Sequence, residues 1–423
     1  MRLNALTSLR FFAAFAVFVN HFNFWNTSQS PTIELISPVI RTGLVGVTFF
    51  FILSGFIISY SADRQISSGQ YSPYTFMRNR IGRLFPVHIL TLGVATYLYC
   101  YHLSFQTFSI SRFTANISLM HSWVPDASYY FGYNGVSWSI SNEIFFYTMF
   151  IFIIHISTRY VAITWLMLIG LIYFHATKIP PQSQDAEIWQ FYINPAYRFV
   201  DFLTGIIIYK LYKRTDIKLT YRIATMLEIS AIIIVASLTF IGLQFRINKI
   251  LLWDLYYIIP MSIAVFVFAI GRGKISRMLL HPRLVLLGEA SFSLYMSHQL
   301  LIFFADSTFS RYIDKDNALS LLFFAIPVVL FGIYLSVLIF KFYERPINNF
   351  IRTGRIEDFL RQSAGKLTVP LKSLTQQISI PTTDTAYAYK IAETSEKDID
   401  GEFRSEKSSF GRNSRLPIGV QET

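Results

Sequence analysis

Ten apolar runs, each close to the roughly 20 residues an α-helix needs to cross a bilayer, constrain this chain more than any other feature. They lie at about 9–25, 42–61, 84–103, 138–156, 160–176, 197–213, 223–243, 250–270, 284–305 and 318–341, between basic or Pro/Gly-rich breaks. Hydrocarbon admits only structures that satisfy their own backbone, and runs of this length do so as helices. The expected fold is therefore an all-α, polytopic integral membrane helix bundle of about ten transmembrane helices. A hydrophobic content of 53% agrees, being too high for a soluble chain of 423 residues. The fourth and fifth runs meet at the short turn Ser157-Thr158-Arg159. A small-x-small triplet, Ala14-Phe15-Ala16, lies inside the first run with almost no apolar region before it, so the first helix is expected to be retained.

The net charge of +12 would suit a nucleic-acid binder, but the basic residues sit between the apolar runs, as the positive-inside rule requires. No nucleic-acid partner is expected. One set of loops carries Arg64, Arg78, Arg80 and Arg83, then Lys210, Lys213, Arg214, Lys218 and Arg222, then Arg272, Lys274, Arg277 and Arg283. The alternate set is sparser: Arg41, Arg112, Lys178, Arg198, Arg246, Lys249, Arg311 and Lys315. The richer set should be cytoplasmic, with both termini inside and the protein in the plasma (inner) membrane. Residues 1–350 form the membrane part. Residues 351–423 read as a polar cytoplasmic tail, mostly disordered, because they lack a sustained apolar period. The single cysteine, Cys100, excludes an intrachain disulfide framework. The eight histidines lack HExxH-type spacing, so no metal is expected.

The first run, LRFFAAFAVFVNHFNF, carries Arg10 near one end and His21 near the other. Eleven positions are almost three helical turns, about 16 Å, so the two share one face. Ionisable groups in a membrane helix face protein or water, and this stripe is expected to line a reaction channel with His21 as base. Ser54 lies among the small residues Gly46 and Gly55, which permit close helix approach. Arg78, Arg80 and Arg83 precede a helix expected to begin near Pro86. They are either the positive-inside signal, which spacing alone favours, or a phosphate site built from rigid donor forks. Ser139, Glu143 and Tyr147 recur every four residues on one face, with Trp138 at the expected interface. Glu143 falls at a depth comparable to His21 and either orients that imidazole or pairs structurally. Ser291, Tyr295 and His298 form an interior stripe, His298 being a second channel residue or a hydrogen-bonded core histidine. Aromatics in the wider outer loops (Trp123, Tyr129, Tyr130, Phe131, Tyr133, Trp189) read first as an interfacial belt and second as a sugar platform.

Taken in order, these motifs resemble the membrane-bound acyltransferase 3 family of carbohydrate O-acyltransferases. The resemblance is carried by Leu9-Arg10 leading to His21, by Gly46-Val47 with Phe49-Phe50 and Leu53-Ser54-Gly55-Phe56, and by Arg80-Ile81-Gly82-Arg83-Leu84 with Pro86. It continues through Trp138-Ser139-Ile140 with Glu143 and Tyr147, Ser291-Phe292-Ser293-Leu294-Tyr295 with His298, and Glu344 with Pro346. It spans roughly residues 3–350. It implies an enzyme with no tightly bound cofactor that takes cytosolic acyl-CoA as donor, usually acetyl-CoA. The acceptor would be a hydroxyl of a polysaccharide or of a lipid-linked sugar. It also implies His21 and Glu143 as catalytic residues, and Arg10, Arg78, Arg80 and Arg83 around the acyl-CoA. Ser54, Trp138, Ser139, Tyr147, Tyr295 and His298 would line the substrate channel. Polysaccharide-assembly proteins are the expected partners beside the bilayer itself. Thr48 stands where the family often has an acidic residue, which puts an acidic channel group in doubt there. A transporter or flippase without acyl-transfer chemistry remains the rival reading.

Overall fold

The computed structural model describes residues 3–103, 106–179, 183–215, 219–245 and 247–354. The polar-tail expectation for 355–423, and the loop residues Lys218 and Arg246, lie outside them. Among the described residues the secondary structure is helical throughout, with no strand. The long helices are α1 (Asn4–Asn20), α2 (Gly46–Ser67), α3 (Pro73–Thr96), α4 (Trp138–Ile153), α5 (Thr158–Lys178), α6 (Pro195–Arg214), α7 (Tyr221–Gln244), α8 (Leu255–Ile270), α9 (Ser291–Phe309) and α10 (Ala318–Ile339). Each answers to one expected apolar run, and the short break between α4 and α5 falls where the turn was read. The chain is an all-α polytopic membrane protein.

Seven stretches of the described residues, those containing α2, α3, α4, α5, α7, α8 and α10, are long and apolar enough to cross a bilayer. The expected ten thus divide into seven that meet this criterion and three, α1, α6 and α9, that do not. Helix α1 is short, α6 carries Arg198 and Asp201, and α9 carries a Ser/His/Gln-rich first half. Those same polar groups are buried: Arg198, Asp201, Ser291, Ser293 and His298 are all nearly or fully enclosed. The polar helices sit inside, while α5, α7 and α10 present mostly exposed apolar surface, as an annulus facing lipid would.

Helices α2 and α6 cross at glycines. A Cβ on Gly55 would sit 2.1 Å from the Phe202 carbonyl oxygen, and one on Gly205 would sit 2.0 Å from that of Ile52. Backbones pack this closely in a membrane only through residues without side chains. The crossing brings Phe51, Phe146, Phe199 and Phe202 into one cluster of rings, which fixes α4 against α2 and α6.

Three expectations about position are corrected. Helix α3 begins at Pro73, not near Pro86, because Ser72 caps it by accepting from the Thr75 N–H. Arg78, Arg80 and Arg83 are therefore helical rather than loop residues. Arg198 is not an outer-loop charge: its side chain is fully buried within α6. Tyr130 and Tyr133 are buried, and Trp189 donates its ring N–H to the Ser122 carbonyl. Tyr130 and Tyr133 thus pack the interior of the segment between α3 and α4, while Trp123 and Phe131 of the same segment stay exposed.

Candidate active site

Two cavities follow one another along α1. The first, about 110 Å³, is lined at its polar side by Arg10, Ser54, Arg80, Arg83, Glu143 and Tyr147. The second, about 220 Å³, contains His21 with Trp138, Tyr192, Trp253 and Gln299. Val47 and Tyr295 line both cavities and so form the wall between them. The Tyr295 hydroxyl donates to the Val136 carbonyl at 3.2 Å, which holds that wall against the turn leading into α4.

His21 stands immediately after the last residue of α1. Its Nδ1 lies 2.8 Å from the Val17 carbonyl oxygen. A carbonyl only accepts, so Nδ1 carries the proton and Nε2 keeps the lone pair. The His298 ring packs edge to face against it, with centroids 4.8 Å apart. His298 is tied in the same way, Nδ1 lying 2.7 Å from the Tyr295 carbonyl, and its Nε2 is enclosed without a partner.

Glu143 does not orient His21. It lies in the first cavity, where Tyr147 donates to its Oε2 at 2.7 Å and Ser54 donates to Tyr147 at 3.4 Å. Counting from Trp138, which reaches both His21's cavity and the Phe51 ring, Glu143 is five residues further along α4, about 7.5 Å deeper. That rise separates the two groups, and the Val17 carbonyl does the work expected of the carboxylate. Trp138 itself is buried in the protein, at 3% exposure. Ser139 donates to the Val136 carbonyl and lines the first cavity.

The three cavity arginines share their cavity with one carboxylate, Glu143, and outnumber it. Arg10 and Arg83 feel the charges of Glu143 and of Glu344, which accepts from Ser293 at 2.6 Å. Among the described residues, however, neither they nor Arg80 form an ion pair with a carboxylate. Arg80 lies over the rings of Phe76 and Tyr147, at 5.4 and 6.0 Å. Arg78 is elsewhere: its guanidinium donates to the Arg352 carbonyl at 3.0 Å and does not line the cavity. Two residues before the cavity-lining Arg80, Arg78 lies on another face of α3.

Residues 3–341 match the family model described as an acyltransferase domain, that of acyltransferase 3. The chain belongs to the acyltransferase 3 family. Within this acyltransferase 3 chain, the motif residues Arg10, Arg80, Arg83, Glu143 and Tyr147 come from three helices to line one cavity, and His21 lines the next. Among characterised relatives, the acyltransferase MdmB of Streptomyces mycarofaciens is 28% identical over 235 residues, covering 49% of this chain and 57% of that protein. Protein 2 in the picA locus of Rhizobium radiobacter is 33% identical over 57 residues, 13% of this chain and 30% of that protein. The matched part thus spans less than two thirds of either relative. No solved structure matches.

Two features of this family member were not read from the sequence. Arg198 pairs with Asp201 at 3.0 Å and with Asp254 at 2.6 Å, and donates to Thr48, which donates to Asp254 at 3.0 Å. Thr48 therefore does meet an acidic group, supplied by the residue preceding α8 rather than by its own position. The guanidinium lies 5.2 Å from the Phe51 ring centre and 5.7 Å from that of Tyr192. Arg198 and Asp201, one turn apart in an otherwise apolar run, were the available signal. Gln299, adjacent to His298, is the second.

Proposed function

We propose that this protein is a membrane O-acyltransferase, most simply an O-acetyltransferase. It would move an acyl group from cytosolic acyl-CoA to a hydroxyl of a cell-surface polysaccharide sugar or its lipid-linked precursor. The single observation that carries this reading is the pairing of a cavity in which three arginines outnumber one carboxylate with an adjoining cavity that holds one imidazole. A topological signal explains basic residues on one side of a membrane, but it gives no reason for Arg10 to join Arg80 and Arg83 around one hollow. Rigid guanidinium forks suit the phosphates of a nucleotide-bearing donor.

The donor's nucleotide end docks at Arg80 and Arg83, and the pantetheine arm passes Arg10 and the Tyr295–Val47 wall. The thioester arrives beside His21. Nε2 of His21 takes the acceptor hydroxyl proton as that oxygen attacks the thioester carbon. The C–S bond breaks, and the departing thiolate regains the proton. Glu143, Tyr147 and Ser54 form a hydrogen-bonded chain that shapes the donor side. Trp138, Tyr192 and Trp253 offer faces on which a sugar ring stacks. By the positive-inside rule the arginine side would face the cytoplasm, with both termini inside a plasma membrane.

Membranes containing the full-length protein, incubated with radiolabelled acetyl-CoA and envelope glycans or glycolipids, test this reading. Label transferred to glycan is the expected result. Uptake or release of glycan without transfer is the outcome of the transporter reading and overturns the proposal.

A further inference from the structure

An acyl transfer develops negative charge on the thioester oxygen, and a base alone does not stabilise it. A donor aimed at that oxygen is needed, and a side-chain carboxamide serves as well as a backbone N–H. The polar groups around His21 are few. Tyr295 already gives its hydroxyl proton to the Val136 carbonyl. Tyr192 lies tilted against the Trp138 ring at 4.9 Å, and its ring faces the Arg198 guanidinium. Gln299 is different: it lines the cavity, and its carboxamide makes no hydrogen bond to the described protein.

The end of that carboxamide carrying Oε1 is sealed off without a partner. It is backed on Gly135, where a Cβ would stand 2.9 Å from Oε1 and 3.3 Å from Nε2. A glycine here leaves just the room the carboxamide occupies. Gln299 follows His298 on α9, and His298 packs its ring on His21, so the carboxamide and the base are held by one contact between α1 and α9. No hydrogen bond within the described protein engages the Nε2 end, so its N–H groups are available to a ligand in the cavity.

We infer that Gln299 is a catalytic residue of this site, its Nε2–H donating to the thioester carbonyl oxygen as it becomes an oxyanion. The inference rests on the acyl-transfer reading of the preceding subsection. The acceptor proton moves to His21 Nε2, the new C–O bond forms, and the oxyanion is held by Gln299. When the carbonyl re-forms, the C–S bond breaks and the thiolate takes the proton from His21.

The test uses the full-length protein in membranes, with radiolabelled acetyl-CoA and extracted envelope glycolipids. Gln299→Glu keeps the shape but removes the donor, and should lower kcat ~100- to 1,000-fold with the KM for acetyl-CoA unchanged. Gln299→Met should do the same, and Gly135→Ala, which displaces the carboxamide, should lower kcat with Gln299 intact. If the Glu and Met variants keep near-normal kcat, or change only the acceptor KM, the inference is overturned and Gln299 is at most an acceptor-binding group. A wild-type protein that transfers no label overturns the acyl-transfer reading instead, which separates the two failures.

Discussion

The imidazoles of His21 and His298 meet edge to face, ring centroids 4.8 Å apart, and each anchors its Nδ1 on a carbonyl of its own helix segment. The contact joins the end of α1 to the first half of α9. It leaves both Nε2 atoms without a hydrogen on them, one on a cavity wall and one enclosed. The geometry suits a base whose orientation is fixed by main chain rather than by a carboxylate.

His21→Ala should therefore abolish most transfer while leaving the bundle assembled. General-base action is worth ~100- to 10,000-fold, and a fall of that size in kcat is expected in the membrane assay, with unchanged expression and detergent melting. Glu143→Gln, which keeps the Tyr147 hydrogen bond in part, should cost far less. Equal losses for the two substitutions would restore the carboxylate–imidazole partnership that the separate cavities argue against.

The arginines make a second prediction, one that divides three neighbours in sequence. Arg80→Ala and Arg83→Ala should each raise the KM for acyl-CoA, more steeply at low salt, because charge contacts with a ligand are screened as ionic strength rises. Arg78→Ala should change it little, since that side chain is spent on the Arg352 carbonyl. Titration of an acyl-CoA analogue into purified variants at two salt concentrations measures this. Identical affinity across all three would return the arginines to a purely topological role.

The helix bundle was legible because apolar length is a one-dimensional property, readable run by run. Arg10, His21 and Tyr147 were legible because their spacing on helices is also one-dimensional, whereas Arg80 and Arg83 were singled out by the family resemblance, spacing alone favouring a topological role. Depth was not. The position of Glu143 relative to His21 depends on where α4 starts and how it crosses α1, which no spacing within either helix encodes. The start of α3 was misplaced because Pro86 was taken as a helix start, whereas the bundle accommodates it inside α3 and Ser72-Pro73 supplies the true start. Arg198 was assigned to a loop because a charge at the edge of an apolar run has that default, and its two carboxylates lie 3 and 56 positions away. Gln299 gives no periodic signal at all; only the vacancy opposite Gly135 reveals it.

Arg198 supports a third prediction, on stability. A fully buried guanidinium facing Asp201 and Asp254 gains little over an apolar replacement of the whole set, but removing one member strands the others. Arg198→Met should cost ~3–5 kcal/mol in detergent unfolding, as should Asp254→Asn to a smaller extent because Thr48 remains to share the hydrogen bond. Replacing Arg198, Asp201 and Asp254 together by apolar residues should recover much of the loss. A single substitution with a wild-type melting curve would refute the pairing.

The last prediction concerns pH. His121, in the segment between α3 and α4, is fully enclosed and shares a hydrogen bond of 3.1 Å with Ser137, the residue before Trp138. Burial, reinforced by the nearby His88 ring, holds its pKa down to about 3, against the ordinary 6.5. The folded protein thus keeps His121 neutral where the unfolded chain takes up a proton. Stability from this group is complete above pH 6.5 and is lost as pH falls from there toward 3, by about 1.4 kcal/mol at pH 5.5. The window between pH 6.5 and 5.5 lies above the titration of ordinary carboxylates, so His121 is separable from them. Detergent unfolding midpoints across that window should slope downward for the wild type and less steeply for His121→Gln. An unchanged slope in the variant would mean that another group titrates there, and that the Ser137 contact is not what acid breaks.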